Sequence, residues 1–275
     1  MNNNEGIYTA VLIDTRISNT YELVLDNFFT NLDKQWNFMI FCSNNNKDFL
    51  INLINTKFEI DKYRTTIIAL DIDKQISIDI NNKGFVDYDY NKLMTSEKFY
   101  QLIPTENILI FQLDTLLSNK YSNNIYNFLD YDYVGAPWEW SEYGGNGGLS
   151  LRRKSKMLEI INDKSYKLNL PNTFYHEDGY FSEYSNINMP HRDIAKQFCV
   201  ETIFCDKSVG IHKAFCVFHH TSNEYKELET HFSRFKELHM KWYYLWTNTK
   251  FMNEPILDGS YKIDFFSKYQ MITFN

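Results

Sequence analysis

Short apolar runs alternate along the chain with stretches in which apolar residues recur every three or four positions. The run Ile7 to Ile13 reads as a strand, and Tyr21, Val24, Leu25, Phe28, Phe29 and Leu32 follow at helical spacing. Asn19 with Glu22 three residues later predicts a capping box at the start of that helix. The pattern then repeats, with Phe38 to Cys42 as a strand, Phe49, Leu50, Leu53 and Ile54 as a helix face, and Thr66 to Leu70 as a third strand. Strands that alternate with helices imply right-handed crossovers and an α/β fold whose central sheet is mostly parallel and flanked by helices. A ligand site in such a fold lies beyond the carboxyl ends of the strands. Thr15, Arg16, Ser43 and Asn44 all fall at such ends.

Residues 71–90 are charged and Asn-rich, with an alternation at Ile76, Ile78 and Ile80 that fits an edge strand or a loop over the site. A helix is expected around Thr95 to Leu102, and the most apolar stretch, Asn107 to Leu117, as a central strand ending near Asp114. Lys154 to Ile161 is helical by pattern, and the polar stretch Asn162 to Tyr175, with Pro171, reads as a connection. Beyond His220, Tyr225, Leu228, Phe232, Phe235, Leu238, Trp242 and Leu245 recur in steps of three and four, predicting one long amphipathic helix. No internal repeat or low-complexity linker cuts the chain. The expected organisation is one domain over 1–220 and a helical extension over 221–275. Trp242, Tyr243, Tyr244 and Trp246 crowd on that extension, which packs on the core or forms a homodimer interface; core packing is the favoured reading.

Composition narrows the function. Among 275 residues, 44% are hydrophobic and 17% aromatic, enough for a sizeable core. A net charge of -7 with no long basic run argues against a nucleic-acid partner. Cys42, Cys199, Cys205 and Cys216 show no C-x-x-C spacing and read as free thiols of a reducing compartment. The first residues lack a basic leader, and the run Ile7 to Ile13 is too short to span a membrane. A soluble, cytoplasmic protein is expected.

Several groups carry candidate chemistry. A carboxylate closing a buried strand is costly unless paired, so Asp114 is a metal-ligand candidate with Gln112 two residues before it; the alternative is a helix cap. Glu177 and Asp178 sit among aromatics, where partial desolvation suits a general base, although an acidic pair also opens ordinary helices. His212 offers an imidazole to a divalent metal and Lys213 an ammonium to phosphate oxygens, while a lone His near an apolar run is also a common structural residue. His219 and His220 lack the companions of a zinc site. The stretch Gly144-Gly145-Asn146-Gly147-Gly148 reads as a binding loop or a structural turn. It is neither a P-loop nor a dinucleotide fingerprint, and the nearby Trp138 and Trp140 offer indole faces to a sugar ring.

Taken in order, these segments resemble a domain-of-unknown-function family whose members are similar to the GT-A class of nucleotide-sugar glycosyltransferases. The resemblance rests on Asp14-Thr15-Arg16, Leu93 to Phe99, Ile110-Phe111-Gln112-Leu113-Asp114, Tyr131 to Trp138, Gly145 to Arg152, Glu177-Asp178, Ile194 to Phe198 and Gly210-Ile211-His212-Lys213. It covers roughly residues 7 to 218 and stops there. It implies a Rossmann-like α/β/α core that binds a UDP-glucose- or UDP-N-acetylglucosamine-like donor with Mn²⁺ or Mg²⁺. In the class an Asp-x-Asp motif closes a central strand; here Gln112 replaces the first Asp. By this reading Asp114 and His212 hold the metal. Thr15, Arg16, Ser43, Asn44, Gln112, Asp114, Asn146, Gly147, Gly148 and Lys213 face the donor, and Trp138 the acceptor, a glycan or other hydroxyl compound. Asp178, or else Glu177, serves as the base of an inverting, hexosyltransferase-like enzyme. Two rivals stay open: a nucleotide-sugar-binding module without turnover, and a metal-dependent nucleotidyl or phosphoryl transferase.

Overall fold

A computed structural model of the chain describes residues 6–71, 87–143, 145–169, 176–213, 222–248 and 269–274. The first half contains β1 (Tyr8–Ile13), α1 (Thr20–Asn31), β2 (Trp36–Ser43), α2 (Asn44–Lys57), β3 (Thr65–Leu70), α3 (Asp87–Met94), α4 (Glu97–Leu102), β4 (Asn107–Phe111) and β5 (Thr115–Leu117). The middle adds β6 (Tyr133–Ala136), β7 (Asn146–Arg153), α5 (Lys154–Asn162), α6 (Lys164–Asn169) and α7 (Glu177–Ser182). Then come α8 (Arg192–Phe198), β8 (Cys199–Val200), β9 (Gly210–His212), α9 (Ser222–His231), α10 (Phe235–Asn248) and β10 (Gln270–Thr273).

Seven strands form one sheet in the order β10-β3-β2-β1-β4-β7-β6, and β5, β9 and β8 form a small second sheet. β3, β2, β1 and β4 are mutually parallel, whereas β7 and β10 run against their neighbours. The α/β architecture with a large, mostly parallel, helix-flanked sheet is the expected one. Both faces of the sheet are covered, which explains the unbroken apolar runs of its strands. Ala10, Leu12, Ile40 and Leu109 pack with α1 and α2 on one face; Val11, Ile13, Phe41 and Ile110 pack with α4, α5 and α7 on the other.

The topology decides where a ligand can enter. From β1 the chain proceeds outward through β2 and β3, then returns to place β4 on the opposite side, so the order reverses between β1 and β4. Such a switch point opens a crevice at the carboxyl ends of the strands. Because β7 is antiparallel to β4, with Leu149 opposite Phe111, its first residues Asn146 to Gly148 lie just beyond that end. The pairing of Thr115 with His212 brings β9 to the same end.

Several elements differ from expectation. The apolar stretch Asn107 to Leu117 is two strands of different sheets, and Asp114 stands in the turn between them rather than at a strand tip. The Asn19 side chain makes no capping bond to α1; a reciprocal box instead opens α2, where Ser43 and Asn46 satisfy each other's backbone. The glycine stretch is largely strand β7 rather than a loop. The connection after Asn162 carries helix α6, and residues 170–175 lie outside the described set, as do Ile76, Ile78, Ile80, His219, His220 and Cys216. The long C-terminal helix is two helices broken at residues 232–234, and the extension also supplies strand β10 beside β3. Leu228, Phe232, Phe235 and Leu238 are buried in the core cluster of α1 and α2, and the side chains of Trp242 to Trp246 lie outside the described set.

Candidate active site

A cavity of about 620 Å³ opens at the switch point. Gln112 and Lys213 line it from the β4–β5 turn and the end of β9, and Asn146, Gly147 and Gly148 from β7. His176 to Gly179 and Glu183 contribute from α7 and the residues flanking it, Tyr90 and Asn91 from α3, and Trp138 and Trp140 from the segment after β6.

Behind Gln112, Gly148 and Lys213 lies the pair Asp114 and His212, with only 3% and 1% of their surfaces exposed. His212 Nε2 stands 3.4 Å from Asp114 Oδ1, a long ion pair in which neither Asp114 Oδ1 nor either imidazole nitrogen makes a well-formed hydrogen bond. Glu201 Oε1 approaches His212 Nδ1 from the other side at 3.6 Å. Burial alone would lower the His212 pKa, but the Asp114 carboxylate outweighs it and the imidazole is raised. Burial would raise Asp114, but His212 and then Lys213 hold it well below the usual carboxylate range. Gly148 fits here because it has no side chain: a Cβ would stand 2.1 Å from His212 Nε2. Next to the pair, Lys213 adopts φ 49°, the one positive φ at a non-glycine among the described residues. Its N–H donates to the Asp114 carbonyl at 3.2 Å. Such a backbone costs roughly 1–3 kcal/mol and persists where the surroundings impose it, as at ligand clamps.

The second charged pair is different in kind. Arg152, wholly buried on β7, donates to Glu177 Oε2 at 2.6 Å and Oε1 at 3.0 Å. Its remaining hydrogens reach Ser150 Oγ and Tyr100 Oη, and its guanidinium lies 5.0 Å from the Tyr133 ring centre. The Glu177 N–H donates to Asn91 Oδ1 at 2.7 Å. Burial pushes the Glu177 carboxyl up, with Arg152 pulling the other way. Both Glu177 oxygens are thus hydrogen-bonded to Arg152, which leaves Asp178 as the carboxylate of the two whose oxygens accept only from backbone N–H groups. Gly147 leaves room for this pair, since a Cβ would come 2.1 Å from Glu177 Oε1.

Asp178 faces the cavity, half-buried. Its Oδ2 accepts from Gly147 N at 3.3 Å and its Oδ1 from Gly179 N at 2.8 Å, which fixes the carboxylate on the wall. Asn146 turns its Oδ1 back onto Gly148 N at 2.8 Å. Trp138 and Trp140 lie nearly parallel, 10° between planes and 6.0 Å between ring centres. Thr15, Arg16, Ser43 and Asn44 do not line the cavity. Arg16 Nε donates to both oxygens of Asp14 at 3.1 Å, and Ser43 Oγ caps α2 through Asn45 N and reaches the Thr15 carbonyl at 3.5 Å. Asn44 Nδ2 donates to Asp71 Oδ1 at 3.4 Å. Their polar groups close the loops at the ends of β1, β2 and β3.

Tyr90, Asn91, His176, Glu183, Arg152 and Glu201 were not anticipated at the site. Arg152 alone carries a readable signal: a charge directly after Leu149-Ser150-Leu151, on a strand of that alternation, needs a buried partner.

Residues 76–214, half of the chain, match the family described as "Protein of unknown function (DUF5672)". The chain belongs to this family. No curated protein matches the sequence. Among solved structures it is similar to the apo-form glycosyltransferase GlyE of Streptococcus pneumoniae TIGR4. The TM-score is 0.46 at 9% identity, over 86% of this chain and 63% of GlyE, so the chain spans less than two thirds of that protein. It is also similar to the galactosyltransferase LgtC in complex with donor and acceptor sugar analogs, TM-score 0.43 at 12% identity, over 84% of this chain and 95% of that one. A third likeness is to the mannosyltransferase PcManGT from Pyrobaculum calidifontis in complex with GDP-Man and Mn²⁺, TM-score 0.40 at 12% identity, over 63% and 50% of the two chains. Among the described residues no helix is long and apolar enough to cross a membrane, and Cys42, Cys199 and Cys205 are free thiols.

Proposed function

We propose that the protein transfers a sugar from a nucleoside-diphosphate donor, a UDP-sugar first among the choices, to an acceptor hydroxyl. One observation supports this reading above the others: Asp114 and His212, buried together behind the wall of the switch-point cavity, keep ligating atoms without well-formed hydrogen bonds. Buried polar atoms are rarely left so without a reason, and a divalent cation is a fitting one. Asp114 and His212 would hold a divalent ion such as Mn²⁺ or Mg²⁺; no group of three or more such ligands occurs among the described residues. When bound, the ion neutralises charge developing on the diphosphate leaving group.

The chain's own groups supply the rest. The Lys213 ammonium, beside Asp114, pairs with the diphosphate. Asp178, held by the N–H groups of Gly147 and Gly179, takes the proton from the acceptor hydroxyl. The acceptor oxygen bonds to the anomeric carbon as the bond from that carbon to the diphosphate oxygen breaks, and its electron pair leaves with the nucleoside diphosphate. A single displacement of this kind inverts the anomeric centre. The test is release of UDP or GDP from a panel of nucleotide sugars with Mn²⁺, repeated with Asp114→Asn. Turnover at the same rate by both proteins would remove the metal pair from the reaction.

A second reading, a nucleotide-sugar-binding module without turnover, is favoured by Gln112 at a position where a second carboxylate would strengthen the metal site. Calorimetric binding of UDP-glucose or UDP-N-acetylglucosamine without nucleotide release over several acceptors would establish it.

A further inference from the structure

Trp140 is 77% exposed and lies nearly parallel to Trp138, so two indole faces stand together at the surface. It lies in the cavity wall together with Trp138, and the short arm that carries both is pinned from two sides. Ser141 N donates to the Trp138 carbonyl at 3.2 Å, and Arg192, opening α8, donates to the carbonyls of Glu142 at 3.0 Å and Glu139 at 3.3 Å. Thr202 Oγ1 holds the Pro137 carbonyl at 3.2 Å. The indoles are thus presented on a fastened scaffold, at little further entropic cost when a ligand arrives.

Carboxylates outnumber cations around this platform, where Arg192 braces the arm and His176 lines the cavity. Asp178 and Glu183 line the same cavity, and Glu139 and Glu142 are exposed on the arm itself; Lys213 sits at the floor, beside Asp114. Flat aromatic faces beside carboxylates suit a ring with an apolar C–H face and hydroxyl donors on its edge, which is a pyranose. Beside the indoles, Glu139, Glu142 and Glu183 disfavour a second anionic compound in addition to the donor held at Lys213. We propose that the acceptor is an uncharged saccharide whose pyranose ring stacks on Trp140, with Trp138 behind it, and turns its reacting hydroxyl toward Asp178. This rests on the transferase reading for the role of the bound sugar, though binding itself does not.

The test is saturation-transfer NMR on the full chain, without donor, using maltose, cellobiose and lactose as neutral probes and glucose 6-phosphate as the anionic one. Expected is transfer to the ring C–H protons of at least one neutral disaccharide, Kd at least ten-fold weaker in Trp140→Ala, largely restored in Trp140→Phe, and a weaker signal from glucose 6-phosphate. Transfer to none of the disaccharides, equal binding by Trp140→Ala, or glucose 6-phosphate binding as well as the neutral sugars overturns the assignment. Nucleotide release with a non-sugar acceptor and no disaccharide binding would sink the saccharide subsite and leave the transferase standing. Disaccharide binding without turnover of any nucleotide sugar, lost in Trp140→Ala, would support the subsite and remove the transferase.

Discussion

Two charged pairs stand behind the same cavity wall, and they differ in completeness. In Arg152–Glu177 both carboxylate oxygens and the guanidinium are hydrogen-bonded, a ring stacks on the cation, and Asn91 holds the adjoining backbone. In Asp114–His212 the side chains approach to 3.4 Å without a well-formed hydrogen bond, and neither imidazole nitrogen finds one. Burial is nearly equal, so burial does not separate them. The finished pair fixes β7 against α7; the unfinished one is the pair proposed above to hold a cation. Polar satisfaction, rather than charge or depth, separates scaffold from site.

The largest effect expected is on the finished pair. Arg152→Met strands the Glu177 carboxylate among aromatics and should cost about 3–5 kcal/mol in urea unfolding, whereas Arg152→Met with Glu177→Leu should recover much of it. A single variant as stable as the parent would mean that the pair is not structural. Asp114→Asn attacks the unfinished pair and should lower nucleotide release by roughly 100-fold or more. Its unfolding midpoint should fall as well, because the charge that His212 and Lys213 favour is removed, so nucleotide release is compared where both proteins are folded. Asp178→Asn should lower kcat by about 100-fold or more with little change in donor KM, since its effect falls on proton transfer. A rise in donor KM with kcat intact would place Asp178 at the nucleotide instead.

How much of this was readable depends on sequence distance. The parallel strands were legible because both sheet faces are buried, which leaves uninterrupted apolar runs such as Ala10 to Ile13. The same property hid the break at Gln112: Thr115 to Leu117 continues the apolar run of β4 although it belongs to another sheet. Asp114, His212 and Asp178 stood out as polar groups beside apolar segments. The tie of Glu177 to Arg152 did not, because the two are 25 residues apart and meet only through the packing of α7 on β7. Ser43 and Asn44, ligand-contact candidates by their place at a strand end, cap and brace the loops there, a role their position in the sequence does not reveal. Gly147 and Gly148 line the cavity, and their part in the packing is not legible in the sequence. They lie in extended strand, and their smallness admits Glu177 and His212, partners far along the chain.

Those adjacent glycines allow the finest test, and its effects should be the smallest of the set. A methyl added at Gly147 meets Glu177 Oε1 and an Arg152 nitrogen at 2.1 and 2.9 Å, so Gly147→Ala pushes on the complete pair. It should lower stability by about 1–3 kcal/mol. A methyl at Gly148 meets three atoms of the His212 ring, the nearest at 2.1 Å, so Gly148→Ala pushes on the incomplete pair. Turning that imidazole should weaken Mn²⁺ binding in the presence of UDP by about 10-fold or more, read as free Mn²⁺ by electron paramagnetic resonance. Its unfolding midpoint should fall less than that of Gly147→Ala, because the imidazole nitrogens lose no well-formed hydrogen bond when they move. Two neighbouring, chemically identical substitutions should then split, one registering in the urea curve and the other in the metal titration. If both register only in the urea curve, the His212 pair is scaffold like its neighbour, and the contrast between the two pairs fails.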